Sequence, residues 1–126
     1  MAVDVLGIHH VAIGVNDLDA AASFYGEVLE LEPADRPDVP APGLWYRIGA
    51  QELHIGTRTD LEVGMGHFAI AIAAPEYESY VEAVRQRGAK VVREPRKGPD
   101  GLMRTFVEDP SGNRIEITDG PLFHRG

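Results

Sequence analysis

The strongest constraint on this chain is that it repeats itself. Sliding the sequence by 57 residues lays Ile8-His9-His10-Val11-Ala12-Ile13-Gly14-Val15 over Met65-Gly66-His67-Phe68-Ala69-Ile70-Ala71-Ile72, and His10, Ala12 and Ile13 match His67, Ala69 and Ile70. Each segment leads into a turn, an amphipathic helix and short strands that close on an apolar–polar–apolar triplet. Such a period marks one supersecondary unit used twice, so two matching halves, about 1–62 and 63–126, are expected to share one domain over 1–126.

The punctuation of each half supports the same plan. Asn16-Asp17 offers N-cap chemistry, and Leu18, Ala21, Ala22, Tyr25, Val28 and Leu29 recur at helical spacing until Pro33. In the second half Pro75 suits a first helical turn, Tyr77, Tyr80, Val81 and Val84 form the apolar stripe, and Gly88 suits the left-handed position after the helix. A loop from Pro33 through Pro37, Pro40, Pro42 and Gly43 precedes strands predicted at Leu44–Ile48 and Glu52–Ile55, joined through Gly49-Ala50-Gln51. The matching strands of the second half are Lys90–Arg93, Met103–Glu108 and Arg114–Thr118, with a Pro/Gly-rich loop from Pro95 to Gly101 and a turn at Asp109-Pro110-Ser111-Gly112-Asn113. Each half therefore reads as one strand, one helix and three strands, which makes the fold class α+β.

Composition removes several functional classes. Zero cysteines exclude disulfide scaffolds, thiolate-bound zinc, iron–sulfur clusters and thiol catalysis. Twelve Lys and Arg against twenty Asp and Glu leave a formal charge of −8, a field that repels nucleic acid and anionic membranes. The opening MAVDVLGIHHVAIGV reads neither as a signal peptide nor as a membrane span, so a cytoplasmic protein is expected. No P-loop, dinucleotide glycine fingerprint or Gly-x-Ser-x-Gly elbow occurs.

Strand alternation then sorts the polar groups, because side chains two apart share a face. His10, Ala12 and Gly14 fall on one face of the first strand, with His9, Val11, Ile13 and Val15 turned to the helix layer. The second half sets His67, Ala69, Ala71 and Ala73 against Phe68, Ile70 and Ile72. His54 lies between Leu53 and Ile55, and Glu116 between Ile115 and Ile117, so both point away from the apolar layer. A polar group followed by small residues is the profile of a cavity wall, and a pseudo-twofold axis would bring both pairs together.

Three imidazoles and a carboxylate on one concave surface suit a divalent first-row ion, and two His with one Glu is also the donor set of open non-haem iron sites. His54 is then a fourth ligand or an outer partner. Glu52 shares the face of His54 and reads as either an outer partner of that histidine or an exposed salt-bridging carboxylate, the second being the expectation. No role falls to His9, or to His124 in its Gly/Pro-flanked tail.

These residues resemble the vicinal oxygen chelate superfamily, also called the glyoxalase / bleomycin resistance / dioxygenase fold. The resemblance is carried by His10-Val11-Ala12-Ile13 leading into Asn16-Asp17-Leu18, Phe24-Tyr25 with Val28-Leu29, Gly66-His67-Phe68-Ala69-Ile70, and Asp109-Pro110-Ser111-Gly112-Asn113-Arg114-Ile115-Glu116. It implies two paired βαβββ modules forming an open curved mixed sheet, with metal ligands on the first and last strands of each module, which here are His10, His54, His67 and Glu116, holding Fe, Ni, Zn or Mn. It implies a homodimer whose sites often combine the first-module pair of one chain with the second-module pair of the other. The chemistry it implies is chelation of a small oxygen-rich substrate on the metal, in lyase, isomerase or ring-cleaving dioxygenase reactions, with Glu116 or His54 as acid/base. Bacterial glyoxalase I enzymes carry Glu where this chain has His54, which weakens a simple transfer of their mechanism. Tyr46, Arg47, Met103 and Arg104 are the expected substrate contacts. A phosphonate pocket of the fosfomycin type fits poorly with the net charge unless Arg47, Arg104 or Arg114 overrides it locally. The alternative is a non-catalytic antibiotic-binding protein of the bleomycin-resistance type, with Trp45, Tyr46 and Phe106 as stacking surface.

Overall fold

The computed structural model describes residues 8–38, 40–58, 67–99 and 101–120. Met65, Gly66 and His124 lie outside them. The first half runs β1 (His10–Val15), α1 (Leu18–Ala22) continued by a π-helical stretch (Ser23–Val28), β2 (Glu32–Pro33), β3 (Gly43–Ile48) and β4 (Gln51–Thr57). The second runs β5 (His67–Ala71), a 3-10 turn (Ala74–Glu76), α2 (Tyr77–Gln86), β6 (Lys90–Lys97), β7 (Met103–Glu108) and β8 (Arg114–Thr118). Each half closes its own four-stranded sheet, ordered β1-β4-β3-β2 and β5-β8-β7-β6. In both, the first and last strands pair in parallel and the remaining neighbours pair antiparallel. The expected pair of βαβββ modules is the observed fold.

The first helix begins where Asp17 accepts a hydrogen bond from the Ala20 amide, at 3.1 Å. It then widens rather than continuing as α-helix: the Leu29 amide donates to the Phe24 carbonyl at 2.9 Å, five residues back. The wider turn lets the consecutive Phe24 and Tyr25 both enter the core, ring edge to ring face at 5.0 Å. Glu30, with φ 60, ends the helical stretch before Pro33 is reached. Gly88, with φ 97, ends α2 in the left-handed position expected of it.

One strand runs longer than its sequence suggests. β6 continues through Pro95 to Lys97, with register shifts between Val91 and Arg93 and between Arg93 and Arg96. Because β6 is the edge of its sheet, Pro95 removes no ladder bond that a second neighbour needs. Gly43 answers a different demand: a Cβ there would stand 2.8 Å from the Ile55 carbonyl oxygen.

The apolar faces of both sheets meet the helices in one core of Val15, Phe24, Tyr25, Leu29, Leu53, Ile55, Ile70, Tyr77, Val81, Val84, Val107, Ile115 and Ile117, joined by Tyr46. The halves are also tied by polar contacts. Tyr25 donates to Asp109 at 2.9 Å, Tyr80 donates to the Leu29 carbonyl at 2.9 Å, and Asn113 donates to the Gly14 carbonyl at 3.0 Å. No helix among the described residues is long and apolar enough to cross a membrane.

Burial raises the tyrosine hydroxyls above their ordinary range: Tyr77 and Tyr80 to about 12, and Tyr25 further still because the Asp109 carboxylate faces it. A folded pKa above the unfolded one favours the folded state fully below about pH 10, and that stabilisation is lost as pH climbs through the raised values. Denaturant midpoints are expected to hold steady between about pH 7 and 9 and to fall above about pH 10. Tyr80→Phe should flatten part of that decline; an unchanged slope would mean that Tyr80 contributes nothing to it.

Candidate functional site

The pairing register lays out both outer faces as matching rows. On the first sheet His10, Glu52 and Arg47 are neighbours across the strands, then Ala12, His54 and Trp45, then Gly14, Gly56 and Gly43. On the second, the rows are His67, Arg114 and Glu108, then Ala69, Glu116 and Phe106, then Ala71, Thr118 and Arg104. His10 therefore corresponds to His67, His54 to Glu116, and Trp45 to Phe106. The charges one row away are reversed, since Glu52 corresponds to Arg114 and Arg47 to Glu108.

The first pair is held as a stack. The His54 ring lies between His10, with centroids 4.1 Å apart at 18°, and Trp45, at 3.7 Å and 4°. His54 Nε2 stands 2.9 Å from Glu52 Oε1. An ionised carboxylate only accepts, so in the neutral imidazole this contact puts the proton on Nε2 and the lone pair on Nδ1. Glu52 is thus an orienting partner of His54, the first of the two readings its position allows. His9, expected to face the helices, is exposed ahead of β1, with its Nδ1 3.0 Å from His10 Nδ1.

The second pair is tighter and more electrostatic. His67 Nε2 and Glu116 Oε1 are 3.1 Å apart, and Arg104 Nη1 donates to Glu116 Oε2 at 2.7 Å. Glu116 is only 6% exposed, so the guanidinium offsets the cost of burying its charge. Phe106 meets His67 edge-on at 5.2 Å.

The two pairs do not converge within one chain. Among the described residues no three His, Asp or Glu side chains stand close enough to hold one ion. Each pair lies on its own sheet. The second pair fits an ion by the chemistry of its donors, an imidazole nitrogen and a carboxylate oxygen side by side on one face. The stacked rings of the first pair present their in-plane lone pairs side by side instead of toward one point.

Of the four expected substrate contacts, Arg47 and Arg104 lie on the site faces. Tyr46 does not: at 4% exposure it packs with the core on the face of Leu53. Met103 shares its side of β7 with the buried Thr105 and Val107 and packs on the core. Both corrections follow from strand parity, which Trp45 and Arg104 satisfy and their chain neighbours do not. Arg93 is a site residue that the sequence pattern does not single out, because it falls where the predicted strand ends; its guanidinium lies over the Phe106 ring at 5.5 Å.

Two halves, each offering a pair of metal-competent groups on the outer face of a βαβββ sheet, define a class of repeat-built α+β proteins with paired half-sites. Residues 7–117 match the Glyoxalase/Bleomycin resistance protein/Dioxygenase superfamily, and the chain belongs to it. It is 33% identical over 124 residues to a lactoylglutathione lyase of Haemophilus influenzae, covering 89% of this chain and 91% of that one. It is also 33% identical over 129 residues to the lactoylglutathione lyase GLX1 of Arabidopsis thaliana, but spans only 42% of that protein's length. The crystal structure of a lactoylglutathione lyase from Agrobacterium tumefaciens superimposes with a TM-score of 0.76 at 25% identity, covering 92% of this chain and 95% of that one.

Proposed function

We propose that this protein is a metal-dependent lyase or isomerase, acting on a small substrate that presents two adjacent oxygens, such as the hemithioacetal of a 2-oxoaldehyde and a thiol. The observation that carries the reading is the His67–Glu116 pair, with 3.1 Å between donor atoms and Arg104 on the second carboxylate oxygen. The relatives named as lactoylglutathione lyases support the reaction class. A full site is formed by two copies of the chain: His67 and Glu116 of one and His10 of the other supply the ligands. This homodimer resolves the separation of the half-sites within one chain.

When bound, the ion supplies Lewis-acid polarisation of the substrate oxygens. The chain's own residues divide the remaining work. Glu116 and His67 set the donor geometry, and Arg104, donating to the second oxygen of the buried carboxylate, holds it in place. His54 Nδ1, free while Nε2 is held by Glu52, takes and returns the substrate proton. Trp45 holds the imidazole plane and has one face covered by His54 already, which counts against its use as a drug-stacking surface in a sequestering protein.

Elemental analysis of untagged protein, followed by add-back of Fe(II), Ni(II), Mn(II) or Zn(II), tests the reading. One ion per chain is expected, with hemithioacetal isomerisation appearing under at least one metal. Glu116→Gln should reduce metal affinity by roughly 100-fold or more with the circular dichroism unchanged. Retention of parental affinity in that variant would remove Glu116 from the ligand set.

A further inference from the structure

Among the described histidines, His9 is the one to which the proposed reaction gives no work. Its Nδ1 stands 3.0 Å from His10 Nδ1, and the two rings meet edge to face, with centroids 5.2 Å apart at 82°. Two bare lone pairs at that distance repel, so one of the two nitrogens carries a proton and donates it to the other. The plane of the His10 ring is set separately, by the His54 ring stacked on it at 4.1 Å. A stack leaves a ring free to turn within its own plane, and the contact with His9 removes that freedom. The backbone anchors His9 for this, because its carbonyl accepts from the Glu52 amide at 3.2 Å. The other groups of the half-sites have charged partners: Glu52 on His54, and Arg104 on the Glu116 that His67 meets. The 57-residue repeat sets Gly66 where the first half has His9, so the sequence of the second half offers no side chain at that place.

We infer that His9 is a positioning residue for His10: it accepts the His10 Nδ1–H, which fixes the tautomer of His10 and leaves Nε2 with the lone pair offered to a metal. The inference rests on the reading above, since it takes His10 as a ligand. The opposite direction, with His9 donating, would occupy the Nδ1 lone pair of His10 and put its proton on Nε2, so that a neutral His10 would have no nitrogen left for an ion. Ligating imidazoles ordinarily donate their second N–H to an outer acceptor, which orients the ring and raises its basicity. Loss of such an acceptor weakens metal binding by about 10- to 100-fold. An imidazole nitrogen can accept as a carbonyl or carboxylate does, and His9 is the group that the chain places at this edge of His10. His9 touches neither substrate nor metal in this role; it acts through His10.

The test has two measurements on the full chain. The first is the tautomer of His10 in isotope-labelled, chelator-treated protein, read from the imidazole nitrogen shifts by NMR at about pH 8.5, where ordinary imidazoles are neutral. A proton on Nδ1 and a bare Nε2 are expected in the parent, and a mixture of both tautomers in His9→Ala. The second is the affinity for Zn(II), by competition with a chromogenic chelator. His9→Ala should bind about 10-fold more weakly or worse, and His9→Gln, whose amide oxygen can accept from Nδ1–H, should recover most of the loss. A merely structural role for His9 would give neither the tautomer change nor the recovery. His9 is exposed ahead of β1 and its backbone bond to Glu52 survives substitution, so the variants are expected to fold as the parent does. A proton on His10 Nε2 in the parent, or one and the same measurable Zn(II) affinity in the parent and His9→Ala, overturns the inference. A parent that takes up no Zn(II) or other ion counts against the metal-dependent reading alone, and the tautomer then decides the inference by itself.

Discussion

Mixing His10→Ala chains with His67→Ala chains is expected to restore metal sites that neither variant holds by itself. The expectation follows from the separation of the two half-sites. Each chain carries one pair on the sheet built around β4 and another on the sheet built around β8, and no three of the described His, Asp or Glu residues come together. If a site takes its first-sheet group from one copy and its second-sheet groups from the other, every site in a homodimer of either variant lacks one ligand. A mixed dimer has one site with both defects and one with none. Random re-pairing makes about half of the dimers mixed, so metal content and activity should return to about a quarter of the parental level. The measurement is metal per chain after the variants are denatured together and refolded, beside each refolded separately. His10 is exposed and the His67 side chain is 39% exposed, so neither truncation opens a hole in the core. A mixture no better than its components would place complete sites inside single chains.

The arrangement that makes this experiment informative is partly legible in the sequence. The 57-residue repeat and the alternation around His10, His54, His67 and Glu116 predict two like modules and the face each side chain takes, and the register bears this out. Alternation has the same rule on every strand, so it also exposes its own misuse: nearness in sequence places Tyr46 and Met103 at the site, against parity, and both pack toward the helices. Convergence of the two pairs is not legible, because pseudo-symmetry relates the modules without specifying whether their outer faces meet within one chain. The Glu52–His54 bond is unreadable for a related reason: sharing a face puts two groups within reach, and only side-chain geometry says whether they touch. The π-helical widening at Ser23–Val28 leaves the helical spacing of apolar residues nearly intact, so periodicity has no power to detect it.

Asp109→Ala is expected to be the most damaging single change to stability, at roughly 3–5 kcal/mol, because several hydrogen bonds to one buried carboxylate, each worth about 1.5–3 kcal/mol, are lost together and their donors are left unpaired. Asp109 is 4% exposed and receives four hydrogen bonds. They come from the Tyr25 hydroxyl at 2.9 Å, the Ser111 amide at 2.9 Å, the Asn113 amide at 2.8 Å and the Asn113 side chain at 2.9 Å. The last three shape the turn between β7 and β8; the first reaches the helix of the other half. The same turn grips the first module twice more, through Asn113 to the Gly14 carbonyl and through Ser111 to Asn16. One carboxylate therefore sets the turn that positions the strand carrying Glu116 and also locks that turn to the end of the strand carrying His10. The segment Asp109–Asn113, which opens the closing motif of the family resemblance, thus has a mechanical reason to be where it is, independent of any ligand. Asp109→Ala should lower the melting temperature by roughly 10–20 °C, whereas Asp109→Asn, which keeps an oxygen for the two turn amides, should cost only about 1–2 kcal/mol. Tyr25→Phe separates the two functions of the carboxylate, because it removes the link between halves and leaves the turn intact. If Tyr25→Phe alone matched the loss in Asp109→Ala, most of the stability would reside in the link between the halves; a loss near that of Asp109→Asn would put most of it in the turn.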